Sequence, residues 1–161
     1  GIVAILETAT IENSKNTGNV IGSTNVGGIV AESKGTITQC RNDGQVSKVA
    51  GVICKTVNLG GIVGKNSEAA RLSNSKNYGN VNSETDTLVN LGGICGILYN
   101  NSIVELCENN GAISGSGKEI IPNEDTNTNC ASCTSNNGGS ASTDDFGQLN
   151  IGIIYGKYQE I

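Results

Sequence analysis

The sequence predicts an all-β fold, a parallel β-helix (β-solenoid) of about four to five coils. Three observations carry that expectation. A first block reads Ile11-x-x-Ser14-x-Asn16-x-Gly18-x-Val20, and it returns three times. The copies are Ile37-x-x-Cys40-x-Asn42-x-Gly44-x-Val46, Leu72-x-x-Ser75-x-Asn77-x-Gly79-x-Val81 and Val104-x-x-Cys107-x-Asn109-x-Gly111-x-Ile113. A second block alternates with it: Val26-Gly27-Gly28-Ile29-Val30-Ala31, then Leu59-Gly60-Gly61-Ile62-Val63-Gly64, then Leu91-Gly92-Gly93-Ile94-Cys95-Gly96. The third observation is composition. Gly is 23 of 161 residues, aromatics are 3%, and Trp, Met and His are absent, so any core is narrow and built from small aliphatic side chains.

Taken in chain order, Gly1-Ile2-Val3-Ala4 reads as the second half of a Gly-Gly block. In the first block the shared positions 14, 16, 18 and 20 fall on every second residue, which is strand periodicity. One face then carries Ser or Cys, Asn, Gly and Val, while Lys15, Thr17 and Asn19 face solvent. Units so rich in Gly, Asn, Ser and Thr do not suit helix interiors. Stacking the four copies places Asn16, Asn42, Asn77 and Asn109 in one column, where their amides can bond along the stack. The pairs Gly27-Gly28, Gly60-Gly61 and Gly92-Gly93 suit places where backbones approach closely or φ is positive. A single coil cannot bury its apolar face, so coils come in series.

Two departures break the repeat. The second unit holds extra residues around Val49 to Val57. Residues 114–149 interrupt the pattern with a polar, low-complexity run, read as a loop insertion within one domain spanning residues 1–161. That loop is a surface excursion from a corner or a recognition loop. A worn second block, Ile151-Gly152-Ile153-Ile154-Tyr155-Gly156, follows it.

Of the six cysteines, Cys40 and Cys107 share a column two coils apart. Coils at about 4.8 Å spacing put their Cα atoms about 9.6 Å apart, beyond the ~7 Å reach of a disulfide. Both read as buried small hydrophobes, and the states of Cys54 and Cys95 stay open. Cys130-x-x-Cys133 admits a local disulfide, a redox pair or half of a zinc site. With no His and no βαβ context, a disulfide pinning the loop is the first of these. Asn100-Asn101-Ser102 is a candidate glycosylation sequon at Asn100.

The alternating blocks, "GTITQCRNDGQV" followed by "LGGIVGKNS" among them, resemble the GLUG repeat. In that family a Gly-Gly-[Leu/Ile]-Val-Gly block alternates with an Ile-x-x-[Cys/Ser]-x-[Asn/Thr]-Gly-x-Val block. The resemblance covers residues 1–113 and resumes at 150–156. It implies a module of a large secreted or surface-anchored protein, adhesin-like and extracellular, and it brings no catalytic residue.

Net charge is −5 at pH 7, which disfavours nucleic acid as a partner. No apolar run is long enough to insert in a membrane. Without His, Ser-His and Cys-His nucleophiles are excluded within this chain. Acidic pairs exist at Asp144-Asp145, Glu124-Asp125 and Glu84 with Asp86, residue types used for glycoside hydrolysis or calcium. All lie in polar, turn-like segments where solvated charge is the default. The expectation is therefore a non-catalytic structural or adhesive module with no cofactor. Its partners would be itself, stacked head to tail into a fibre, or flanking repeats of a longer chain, with host or matrix glycans beside them. The alternative is a carbohydrate-binding or polysaccharide-degrading β-helix protein. The opening and closing residues fall at similar phases of the repeat, in keeping with end-to-end continuation.

Overall fold

The structure is a computed structural model. It describes the backbone of residues 1–67, 69–83, 88–99, 101–122, 130–131, 133–136, 139–152 and 155–159, and the side chains of these apart from 117–122, 130–131, 139–150, 155 and 158–159. Every regular element among them is a strand, and the strand pairs are parallel. The chain winds into a β-solenoid in which strands from successive coils stack into four sheets.

The first sheet stacks Val3–Leu6, Val30–Ser33, Val63–Asn66, Cys95–Tyr99 and Tyr155–Gln159. The second stacks Thr10–Glu12, Thr36–Thr38, Arg71–Ser73, Ile103–Glu105 and Cys130–Ala131. The third is built from the two-residue strands Lys15–Asn16, Arg41–Asn42, Lys76–Asn77, Glu108–Asn109 and Thr134–Ser135. The fourth has two halves. Val20–Gly22, Val46–Lys48, Val81–Ser83 and Ile113–Pro122 form one, Asn25–Gly27, Val57–Gly60 and Leu88–Gly92 the other, and Gly139–Gly152 joins them. Within each sheet the register aligns equivalent positions of the repeat: Ile11 on Ile37, Ile37 on Leu72, Leu72 on Val104.

Residues 114–149 depart from the sequence expectation. In place of a loop insertion, Ile113–Pro122 prolongs the fourth coil, and Cys130–Ala131, Thr134–Ser135 and Gly139–Gly152 follow as further paired strands. The physical reason is that the edge of the coil beneath already offers a row of backbone donors and acceptors. Small polar residues need supply only their own main chain: the Thr134 N–H donates to the Cys107 carbonyl and that of Asn136 to the Asn109 carbonyl, both at 2.9 Å. Gln148–Gly152 lies between Leu88–Gly92 and Glu119–Pro122, so it continues the stack of the second block and Glu119–Pro122 stands outside it.

The interior is two thin cores rather than one. Ile29, Val30, Ile37, Ile62, Val63, Leu72, Ile94 and Leu98 belong to the first, Val26, Val46, Leu59, Val81, Leu91 and Ile113 to the second. What separates them is a polar seam of asparagine and glycine.

Candidate functional site

The four predicted asparagines stand in one column, in register at successive coils. Nδ2 of Asn16 donates to Oδ1 of Asn42 at 2.8 Å, Asn42 to Asn77 at 2.9 Å and Asn77 to Asn109 at 2.9 Å. The second Nδ2 proton of each goes to the carbonyl two residues on, that of Gly18, Gly44, Gly79 or Gly111. Oδ1 of Asn42, Asn77 and Asn109 also accepts the N–H of Gly44, Gly79 and Gly111. Asn42, Asn77 and Asn109 are 0% exposed, and this saturation is what makes their burial tolerable. The column ends on Ser135, whose Oγ lies 3.4 Å from Nδ2 of Asn109.

The double glycines face that column from across the interior. A Cβ on Gly28 would lie 2.3 Å from Cγ of Asn42, and one on Gly61 would lie 2.2 Å from both Cγ of Asn77 and the Gly93 carbonyl oxygen. A Cβ on Gly27 or Gly60 would meet the carbonyl oxygen of Val30 or Val63 at 2.0 Å. Gly92 stacks on Gly60. Of the two reasons for the double glycines, close approach is the one that holds: among the described glycines only Gly51, in the extra residues of the second unit, has positive φ.

A second asparagine column, which the repeat blocks as read do not predict, runs beside the first. Asn90 Nδ2 donates to Asn58 Oδ1 at 2.6 Å, and Asn58 Nδ2 to Asn25 Oδ1 at 2.7 Å. Its protons point toward the first coil, opposite to those of the first column. Its signal is present in the sequence as an Asn two places before each double glycine, and again as Asn150 before Gly152, which pairs in register with Asn90.

Cys40, Cys95 and Cys107 are buried reduced thiols. Burial pushes all three up from the ordinary thiol range, Cys107 to about 12. Cys54 is half-buried and not disulfide-bonded. Cys133 is disulfide-bonded and packs against the first core; the side chain of Cys130 lies outside the described residues. So do Asn100, Glu84, Asp86, Glu124 and Asp125, and the side chains of Asp144 and Asp145. Among the described residues, no group of His, Cys, Asp and Glu is arranged to hold a metal, and no helix is long and apolar enough to cross a membrane.

The third sheet carries charge on its outer side. Lys15 and Arg41 both reach Asp43, at 2.9 and 2.6 Å, and Lys76 reaches Glu108 at 2.8 Å. Arg41 lies over the Tyr78 ring, 4.3 Å from its centroid. Hydrogen bonds from Arg41 and Lys15 hold the Asp43 carboxyl below its ordinary value, and a hydrogen bond from Lys76 does the same for Glu108.

A groove of about 600 Å³ lies at the corner between the first and second sheets, lined by Glu32, Lys34, Lys65, Ser67, Ala69 and Tyr99. It arises from unequal corner lengths. Between equivalent registers the second coil takes three steps, Ser33 to Thr36, whereas the third takes five, Asn66 to Arg71, and the fourth five, Leu98 to Ile103. Glu32 is fixed on the floor: Oε1 accepts from Lys65 Nζ at 2.9 Å and Ser67 Oγ at 3.5 Å, and Oε2 from Asn25 Nδ2 at 3.2 Å. Lys65 Nζ also stands 5.6 Å from the centroid of the Tyr99 ring. Lys34, at the rim, pairs with Glu7 at 3.1 Å. The two-residue difference is legible in the block spacing, but its consequence for the surface is not.

At the first coil, the outward side of Val3–Leu6 and Val20–Gly22 bears no further strand among the described residues. Ile2, Ile5 and Ile21 are 45%, 61% and 65% exposed there. No protein family model, no curated protein and no solved structure matches this chain.

Proposed function

We propose that this chain is a non-catalytic structural module of an extracellular surface protein or fibre, whose first coil receives another coil. The observation that carries the reading is the repetition of one side chain at one position through coil after coil, in two hydrogen-bonded asparagine columns. Such columns extend by adding identical units and need no ligand to be complete. The exposed isoleucines of the first coil, and its strands that have no neighbour on their outward side among the described residues, support the same reading, because an open strand edge templates pairing. The GLUG-like alternation of blocks agrees with a secreted, adhesin-like setting. The occupant of the edge is a preceding coil of a longer chain or a second copy of this one.

Light scattering and electron microscopy on the purified chain test the stacking. Association that rises with concentration, and that Ile5→Lys with Ile21→Lys abolishes, is the expected result. A monomer at high micromolar concentration overturns it.

A further inference from the structure

We infer that the groove between the first and second sheets is a binding site for a neutral pyranose sugar bearing adjacent hydroxyls. This gives the module a recognition function that does not depend on stacking, since a lone chain carries the whole groove.

Three features point to that ligand. The first is the Glu32–Lys65 pair. A carboxylate only accepts hydrogen bonds and an ammonium only donates them. Held 2.9 Å apart, they match a diol in which one hydroxyl donates to the carboxylate and its neighbour accepts from Nζ. Glu32 already accepts from Lys65, Ser67 and Asn25, which leaves about one of its four lone-pair positions for a sugar hydroxyl. The carboxylate is thereby set in place before any ligand arrives, which lowers the cost of ordering it on binding.

The second is Tyr99, an aromatic ring on the groove wall in a chain with 3% aromatics. A pyranose offers an apolar C–H face beside its hydroxyls, and an aromatic ring with a polar rim suits that mixture. The third is charge balance. Lys65 is matched by Glu32 and Lys34 by Glu7, so among the described residues the groove has no surplus charge with which to select an anion. Its volume, about 600 Å³, falls in the range of small-molecule sites, about 300–1,000 Å³. Its walls come from sheet ends and corners stacked on a rigid solenoid, which favours a pre-formed site.

The test is saturation-transfer NMR on the full chain with D-glucose, D-galactose, D-mannose and N-acetyl-D-glucosamine, with D-glucuronate and inorganic phosphate as anionic arms. The expected result is saturable millimolar binding of at least one neutral sugar. Tyr99→Ala and Glu32→Gln should each weaken it about tenfold, equivalent to 1.4 kcal/mol. Lys76→Ala, on the third sheet, should leave it unchanged. Circular dichroism confirms that each variant is folded, and Glu32→Gln keeps the shape of the side chain if Tyr99→Ala is not. The inference is overturned if no neutral sugar binds, if binding survives both substitutions, or if glucuronate or phosphate binds in preference and does so more tightly in Glu32→Gln.

Discussion

Gly61 sets the tolerance of the whole seam. Its missing Cβ leaves room for Asn77 and for the Gly93 carbonyl oxygen, and the latter is backbone that has no rotamer into which to retreat. Gly61→Val is therefore expected to cost more than the ~3 kcal/mol upper end of ordinary overpacking. Lys15→Ala, whose side chain is half exposed against Asp43, should stay within about 0.5 kcal/mol of neutral. Denaturant melts of the two variants make the comparison. Corner residues show a second residue-scale constraint. Asn13, Gln39, Asn74 and Leu106 occupy one column with φ between 49° and 53°, a left-handed conformation that Asn accepts and Leu does not. Leu106 is also 53% exposed, so Leu106→Asn should stabilise by about 1 kcal/mol, read as a raised midpoint in the same melts. Asn66 is the counter-case: fully buried, with no partner for Nδ2 or Oδ1 among the described residues, and stacked in register between Ser33 and Leu98. Asn66→Leu should gain about 1–2 kcal/mol, because it removes a desolvated amide. The alternating positions of the first block made the first asparagine column legible in the sequence. The second column was hidden because the eye aligns that block on its glycines, and the orphaned Asn66 has no repeat signature at all.

At the scale of an element, the column Ser14, Cys40, Ser75, Cys107 behaves as one small-residue stack. Its members replace one another because the site asks only for a short side chain that can bond backbone: Cys40 Sγ lies 3.3 Å from the Thr38 carbonyl oxygen, and Ser75 Oγ donates to that of Ser73 at 2.9 Å. The raised thiol values of Cys95 and Cys107 come first from burial. A folded-state value above the unfolded one means a stabilising contribution that is full below the unfolded value, 9.0, and is lost as pH rises toward the folded one. Stability should therefore decline from about pH 9 upward. Cys107→Ser, which copies Ser14 and Ser75, should fold normally and flatten that alkaline limb, measured by urea midpoints between neutral and alkaline pH. The extra strands within residues 114–149 mark the limit of reading elements from sequence. Strand formation there is dictated by the open edge beneath it, and a Ser-, Thr- and Gly-rich run offers no periodicity of its own.

At the scale of the molecule, contacts run from coil to neighbouring coil, so stability is a sum of units and their interfaces rather than one global core. Among the described residues the first coil has a neighbour on one side only. Val3, Ile11 and Val20 are half-buried, whereas their register partners Val30, Ile37 and Val46 are 0% exposed. Asn16 likewise joins its column through one neighbouring asparagine, whereas Asn42 and Asn77 each join two. Opening should thus begin at the first coil, at lower free energy than in the third. Amide hydrogen exchange at low concentration is expected to show weak protection at Val3 and Val20 and strong protection at Val63 and Val81. The proposed stacking adds a second requirement. A coil seated on this edge would cover Ile2, Ile5 and Ile21 and bond the backbone on its outward side, so protection of the first coil should rise with protein concentration while that of the third stays constant. First-coil amides that are as protected as those of Val63 and Val81 at every concentration would show that the edge is already stable by itself and has no need of a partner coil.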